Sequence, residues 1–316
     1  MSLLPDDIYL GDINLPGSHD AAAINPVCKD AFARHYLTIT EQLEFGIRLL
    51  DIRLQYKETK SGTFDFLTCH GNIGSAISRN TYQPFSKVLD ECEAFLQAQP
   101  TETIILSLKV DDNCLKDEQT EEKAHAALKT LLSQYTVRPY QQDLGTLQEA
   151  RGQMILFNRI NTDTALGYPM QWKDNFDGVT DATYEQAKTE RNFTIGVQDH
   201  YNFGLNVTDF NHQKTDNVFA AMPALENKTY DVLWNYASAC TLYVLAVSPY
   251  PEIMARYSKM QTDVWPVHTG WVLMDYEDRL YGTEPYGYMS LVSLLIDSNP
   301  LNGERFGTYS AAFTIQ

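Results

Sequence analysis

Eight β-rich runs alternate with helical stretches along the 316 residues, and almost every run ends in ionisable side chains. The runs cover 8–15, 46–53, 65–69, 103–109, 153–158, 193–198, 241–247 and 270–275. Helical or irregular stretches fall at 80–98, 117–135, 143–151, 182–190, 215–239 and 252–261. Such a βαβα order argues for a parallel sheet with helices packed outside it. Within 117–135, Ala124, Leu128, Leu131 and Leu132 share one helical face, as a helix covering a sheet requires. Closure into a barrel is favoured, and the length suits it, since an α/β barrel takes roughly 250 residues or more. The link between the second and third runs is too short for a full helix. The expected fold is therefore α/β, a distorted (β/α)8 TIM barrel, as a single domain over residues 1–316.

Composition supports one soluble unit. There is no compositional break, low-complexity stretch or solenoid-length repeat, and 44% of residues are hydrophobic, enough for a large core. No apolar run approaches the roughly 20 residues that span a bilayer, and Met1-Ser2-Leu3-Leu4-Pro5 lacks the basic start and apolar middle of an export signal. The same opening also fits a start that replaces a removed leader, so export stays open. A net charge of -17 argues against nucleic acid and against simple electrostatic adsorption to anionic membranes. The five cysteines, Cys28, Cys69, Cys92, Cys114 and Cys240, lack paired metal or redox spacing. Free thiols are expected, with one disulfide involving Cys28 as the alternative.

In a barrel the C-terminal ends of the strands converge on one mouth. Here those ends carry His19-Asp20, Asp51 and Arg53, His70, Lys109, Arg159, Asp199, a tyrosine-containing run at Tyr243, and Asp275. Asp51 and Arg53 stand two apart on one strand and so face the same side. Two imidazoles with an ordinary pKa near 6.5 can pass a proton at neutral pH. A fixed cation beside them suits phosphoryl transfer. Taken singly, Lys109, Arg159 and Asp199 read as solvated strand ends, and Asp275 as a helix cap. Their concentration at one end of the strands argues for a site.

Four stretches resemble the phosphatidylinositol-specific phospholipase C family, in its small single-domain bacterial form. They are Leu-Pro-Gly-Ser-His-Asp at 15–20, Gln42-Leu43 through Gly-Ile-Arg-Leu-Leu-Asp-Ile-Arg at 46–53, Cys-His-Gly at 69–71, and Thr-Glu-Thr-Ile-Ile-Leu-Ser-Leu-Lys at 101–109. Weaker echoes continue at 157–159, 196–199 and 270–276, while 200–240 and 277–316 match nothing in it. The resemblance implies a distorted TIM barrel in which the inositol 2-hydroxyl attacks phosphorus, giving diacylglycerol and 1,2-cyclic inositol phosphate. It implies His19 as general base and His70 as general acid, with Asp275 supporting His19 and Asp20 holding His70. Arg53 would stabilise the phosphoryl oxygens, Asp51 would hold Arg53 or Lys109 in place, and Lys109, Arg159 and Asp199 would bind inositol hydroxyls. Tyr243 would stack on the inositol ring.

The family neutralises the phosphate with either calcium or an arginine. With Arg53 and Lys109 where calcium would need acids, the expectation is a metal-independent enzyme, calcium dependence being the alternative. Phosphatidylinositol or a glycosylated anchor lipid at a membrane surface is the implied partner. Contact would be peripheral, through rim groups such as Phe32, Tyr36, Tyr201, Phe203 and Tyr250. A monomer in an extracellular setting is expected. The competing readings are a glycerophosphodiester-type phosphodiesterase, disfavoured by Gly-Ser-His-Asp in place of His-Arg-Gly, and a catalytically silent inositol-phosphate or glycan-binding barrel.

Overall fold

A computed structural model describes residues 1–24, 35–70, 81–113, 115, 117–182, 191–204, 209–241, 245–247, 250–263, 267–283 and 287–300. In chain order its elements are β1 (Leu15–Ser18), α1 (Ile39–Phe45), β2 (Leu49–Glu58), β3 (Phe64–Cys69), β4 (Thr81–Pro84), α2 (Phe85–Ala98), β5 (Ile104–Asn113) and α3 (Glu118–Leu132). There follow α4 (Leu147–Ala150), β6 (Met154–Asn158), β7 (Tyr168–Pro169), β8 (Val179–Asp181), β9 (Ile195–Gln198), α5 (Phe210–Ala221), α6 (Pro223–Glu226) and β10 (Val232–Tyr236). The last are β11 (Ala239–Thr241), β12 (Leu245–Val247), α7 (Tyr250–Asp263), β13 (Trp271–Met274), β14 (Tyr281–Thr283), β15 (Gly287–Met289) and α8 (Leu291–Asp297).

The main sheet runs β7-β6-β5-β2-β1-β13-β10-β9-β8. Neighbours are parallel from β7 to β9, and β8 closes the path antiparallel to β9. The sheet curls into an α/β half-barrel, and one backbone bond from Gln171 to Ala182 (3.3 Å) links the segments beyond its two edge strands.

Alternation along each strand sorts side chains between two cores. In β2, Leu50, Ile52 and Leu54 pack outward against the helices, while Leu49 faces the barrel interior. In β5, Ile104, Leu106 and Leu108 likewise face out, and Ile105 faces in. The interior holds Leu15, Leu49, Ile105, Phe157, Trp234, Trp271 and Leu273. Its centre is an aromatic plug, with Phe157 5.2 Å from Trp234 at 62° and 5.6 Å from Trp271 at 90°. Edge-to-face pairs of this kind add to the large area each ring removes from water. Gly17 lies inward, one step below His19. A Cβ there would meet Leu273 Cγ at 3.0 Å and Leu49 Cγ at 3.1 Å, so the strands close tightly beneath the mouth.

Local signals account for the helix leading into β2. Thr38 and Glu41 form a capping box at the start of α1, and Gly46 ends it in the left-handed region at φ 118°. Below the plug, the buried Asn14 amide donates to the Val267 carbonyl (2.8 Å) and Ser298 Oγ (2.8 Å), and its oxygen accepts from the Thr269 and Gly270 amides. It thereby ties β1 to the approach to β13 and to the end of α8.

Several sequence expectations need correction. The run at 65–69 is a strand, but β3 pairs antiparallel with β2 and returns as a hairpin, because the intervening loop is too short for a crossover helix. The strand expected at 241–247 is the β11–β12 hairpin. The parallel strand that belongs beside β9 is β10, within a stretch expected to be helical. Val-Leu-Trp-Asn-Tyr is buried at every position, so it carries no alternation by which to recognise it. The strand expected at 8–15 begins only at its last residue, as β1 over Leu15–Ser18, and Leu10–Asp12 form a 3-10 turn instead. The stretch at 80–98 opens with β4 before α2, and 183–190 lies outside the described residues. Cys69 is buried and Cys92 is a buried free thiol, whereas Cys28 and Cys114 lie outside the described residues.

Replacing Asn14 with Ala leaves the Thr269 and Gly270 amides, the Val267 carbonyl and Ser298 short of partners at the barrel floor. It should destabilise the protein by about 4 kcal/mol, roughly 1 kcal/mol for each of these four partners. Urea unfolding of Asn14→Ala checks this, and a loss below about 1 kcal/mol would contradict the assigned role.

Candidate active site

Each barrel strand carries its inward residues up to a polar group at the mouth. His19 continues the inward face of β1, Arg53 that of β2, Lys109 that of β5, Arg159 that of β6, Asp199 that of β9, and Asp275 that of β13. Arg53 and Lys109 are direct register neighbours. His70 reaches the same level through the hairpin. Because Thr68 opposes Leu54, the position two residues past Thr68 is brought back level with Ile52 and Arg53.

His19 Nδ1 lies 2.9 Å from Asp275 Oδ1, and its Nε2 lies 2.9 Å from Arg53 Nη2. A carboxylate only accepts and a guanidinium only donates. Nδ1 therefore carries the proton and Nε2 the lone pair, the state of a general base supported by an acid. The His19 ring also sits edge-on to Tyr236, 5.9 Å away.

Arg53 is enclosed by acids. Nε pairs with Asp20, Nη2 is 3.4 Å from Asp51 and Nη1 is 3.2 Å from Asp111. Burial disfavours its charge, but Asp20, Asp111 and Asp51 outweigh burial and keep the guanidinium protonated well above its usual range. Asp20 is buried with φ 48° and places Oδ2 3.0 Å from His70 Nε2 and 3.8 Å from His19 Nε2. Burial alone would raise the Asp20 carboxyl. Arg53, then His70 and His19, hold it well below the usual carboxylate range.

The next layer carries the remaining cations. Asp51, wholly buried, accepts from Ser107 Oγ (3.2 Å) and pairs with Arg159 (3.3 Å). Arg159 Cζ lies over the Trp172 ring, 3.8 Å from its centroid, and the Trp172 indole donates to Asp199 (3.0 Å). Burial raises the Asp199 carboxyl, and Lys214, Arg159 and Trp172 only partly offset it. Lys109 pairs with Asp111 at 2.7 Å. Burial, then Asp51, raise the Tyr236 phenol well above its usual range, so it stays neutral.

A cavity of about 160 Å³ opens here, lined by His19, Asp20, Arg53, His70, Lys109, Arg159, Asp199 and Asp275 together with Asp174, Tyr201, Ser238 and Ala239. The structure thus gathers at one mouth every sequence-derived site residue except Tyr243, which lies outside the described residues. Asp51 sits just beneath the cavity rather than on its wall. Sequence reasoning missed Asp111, Trp172, Asp174 and Tyr236. Asp111 was detectable, being two residues past Lys109 on one strand face. Tyr236 was hidden by the misplaced seventh strand, and the loop residues Trp172 and Asp174 carry no periodic signal. Tyr201, expected at the rim, instead lines the cavity and bonds Asp174 at 3.2 Å, while Phe203 stacks on His200 at 4.4 Å.

An α/β barrel whose mouth holds a histidine–aspartate dyad, a second histidine and a carboxylate-bound guanidinium has the layout of an acid–base catalyst for an anionic substrate. Residues 29–160 match the family described as phosphatidylinositol-specific phospholipase C, X domain, and the chain is homologous to bacterial phosphatidylinositol-specific phospholipases C. It is 28% identical to a 1-phosphatidylinositol phosphodiesterase of Staphylococcus aureus strain Newman, over 95% of this chain and 93% of that protein. It is 25% identical to the 1-phosphatidylinositol phosphodiesterase of Listeria monocytogenes, over 75% of this chain and 76% of that protein. Among solved structures, a double mutant of the S. aureus phosphatidylinositol-specific phospholipase C superposes with a TM-score of 0.73 at 23% identity, covering 95% of this chain and 96% of that one. The L. monocytogenes enzyme superposes at 0.60 and 19% identity, covering 95% and 97%. Both are likenesses of fold.

The acids around Arg53 make acid stability a test of the cage. Burial pushes the Asp111 carboxyl up, but Arg53 and Lys109 outweigh it and bring it from 3.8 down to about 2. A carboxyl depressed in the folded state stabilises above its unfolded pKa, and that stability is lost as pH falls through the folded value. Asp111 should contribute about 2 kcal/mol above pH 4, lost between about pH 4 and pH 2. Urea unfolding of wild type and Asp111→Asn across that range checks this. Identical acid slopes would contradict it.

Proposed function

We propose that the chain is a phosphatidylinositol-specific phospholipase C, cleaving the phosphodiester of phosphatidylinositol to diacylglycerol and 1,2-cyclic inositol phosphate. The observation that carries the reading is the His19–Asp275 dyad set against the Arg53 guanidinium, with His70 on the other side of Asp20. The 1-phosphatidylinositol phosphodiesterase activity named for the relatives supports the choice of substrate.

Without substrate, Arg53 Nη2 donates to the lone pair of His19 Nε2. A bound phosphate offers the guanidinium a stronger acceptor and releases that lone pair. His19 Nε2 then takes the proton of the inositol 2-hydroxyl, the oxygen attacks phosphorus, and the bond from phosphorus to the glycerol oxygen breaks. The departing oxygen takes its proton from His70, which Asp20 holds in place. Arg53 stays positive throughout and faces the charge that grows on the phosphoryl oxygens. Lys109, Arg159 and Asp199 bind inositol hydroxyls, with Trp172 fixing the last two.

The reading is metal-independent. Ligand atoms of His19, Asp20 and Asp51 lie within 4.8 Å of one another. Each carboxylate of the cage is nevertheless engaged by cations: Asp20 by Arg53 and His70, Asp51 by Arg53 and Arg159, Asp111 by Arg53 and Lys109. Calcium, which prefers several free oxygen ligands, would have to displace the guanidinium. The donor set therefore does not fit the ion, and no step runs through it.

The enzyme acts as a monomer touching the bilayer with its mouth. Tyr36 is 55% exposed and its ring packs against that of Tyr276 at 5.7 Å, and Leu280, four residues beyond Tyr276, is 61% exposed. Phe32 lies outside the described residues, as does the Tyr250 side chain. No helix among the described residues is long and apolar enough to cross a membrane. A solved study of the S. aureus enzyme concerns modulation of its membrane binding. An extracellular location belongs to the same reading, and assay of culture medium against lysate of the producing cell tests it.

Phosphorus NMR of phosphatidylinositol vesicles with the protein tests the activity. A cyclic inositol phosphate signal in EDTA is expected, with His19→Ala slowing its appearance by about 10²–10⁴-fold. A signal only with added calcium would overturn the metal reading. No signal in either condition, with lipid affinity retained in His19→Ala, would make the protein a binder. Because the net charge is -17, vesicles rich in neutral phosphatidylcholine should bind at least as well as purely anionic ones. Stronger binding to anionic vesicles at low salt would contradict this.

A further inference from the structure

His35 and Glu277 are a second buried histidine–acid pair, which the mechanism above does not use. Both side chains are 0% exposed, and His35 Nδ1 pairs directly with the Glu277 carboxylate. The other ring nitrogen, Nε2, lies 2.6 Å from the main-chain carbonyl of His19 and 3.1 Å from Ser18 Oγ. Glu277 stands two residues beyond Asp275 on the loop that follows β13. The ring thus bridges the loop bearing the general base and the loop bearing the carboxylate that orients it.

We propose that His35 and Glu277 form a positioning pair for the general base, clamping the two loops so that His19 Nδ1 meets Asp275. This inference rests on the phospholipase reading of the site and adds residues outside the reacting cavity. A carbonyl oxygen and an ionised carboxylate both only accept, so both ring nitrogens of His35 must donate. The clamp is complete only while His35 is an imidazolium. A neutral ring has one proton and must release either Glu277 or the His19 carbonyl. Among the described residues the charged groups facing His35 are Glu277 and Asp275, and the first loop contributes Ser18 Oγ and the His19 main chain.

Burial disfavours the charge on His35, but Glu277, then Asp275 and the His19 carbonyl, raise it above its ordinary 6.5. A raised group keeps its effect below the ordinary value and loses it as pH climbs through the raised one. The clamp therefore holds on the acid side of that raised value and opens on its alkaline side. Apolar residues fill such a space as stably as a buried ion pair does. Directional hold on the His19 carbonyl is what apolar residues cannot provide.

The first test uses the wild-type protein. Long-range proton–nitrogen correlation NMR at pH 7 should show both His35 ring nitrogens protonated, and a neutral ring would overturn the proposal. The second compares kcat, KM and pH profile of wild type, His35→Gln and Glu277→Gln on dispersed short-chain phosphatidylinositol. Folded Glu277→Gln should lose about tenfold to 100-fold in kcat, keep KM within about twofold, and begin its alkaline decline at lower pH. His35→Gln, which keeps one donor for the His19 carbonyl, should lose less kcat and show no such shift. Wild-type kcat and an unchanged alkaline limb in folded Glu277→Gln would overturn the proposal, as would a kcat loss matched by the unfolded fraction alone. If the variants do not fold, the NMR result decides. Wild-type protein that cleaves no phosphatidylinositol would defeat the phospholipase reading, while the His35 signal still reports on the pair.

Discussion

The Arg53 guanidinium, held beneath the mouth by Asp20, Asp51 and Asp111, is the interaction on which the site depends. Each acid also serves a second group: Asp20 holds His70, Asp51 holds Arg159, and Asp111 holds Lys109. Removing the central cation would leave three buried or nearly buried carboxylates facing one another at short range, a costly arrangement in a low dielectric. The cage therefore fixes positions as well as charge. It presents the same cation to His19 Nε2 before substrate binds and, in the proposed reaction, to the phosphate afterwards.

The barrel makes that cage possible by stacking inward residues in steps of two. Leu49, Asp51 and Arg53 climb one strand from the apolar floor to the mouth, and Ile105, Ser107 and Lys109 climb its neighbour in register. The aromatic plug of Phe157, Trp234 and Trp271 seals the bottom, so the charged layer has protein on one side and solvent on the other. Gly17 lets β1 sit close enough to its neighbours for His19 to emerge beside Arg53. The hairpin of β2 and β3 supplies His70 without a crossover helix. Such a departure from the regular barrel costs one outer helix and delivers a second imidazole to the same cavity.

Much of this arrangement was legible in the chain because period-two alternation and strand-end polarity are local. Leu49 through Leu54 announces both its faces, and His19, Arg53, Lys109, Arg159, Asp199 and Asp275 follow as the next inward positions. What escaped depends on distant partners. The run 232–236 is buried on both sides and shows no alternation, so β10 passed for helix and Tyr236 went unseen. The antiparallel sense of β3 was foreshadowed only by a short link. Trp172 sits in a loop, and its significance arises from Arg159 and Asp199, which reach it from other strands. His35 likewise gains meaning only from Glu277, 242 positions along the chain.

The central claim is that Arg53 is the built-in cation of the reaction and that its planar fork matters as much as its charge. The most direct measurement is the single-turnover rate of phosphatidylinositol cleavage for Arg53→Lys against wild type, in EDTA, with folding verified by circular dichroism. Lysine keeps the positive charge but cannot face Asp20, Asp51, Asp111 and His19 Nε2 at once. The account predicts a fall of about 100-fold or more in the chemical step. A rate within about twofold of wild type would contradict it, leaving the carboxylate cage a scaffold and the charge on phosphorus to be met by other groups.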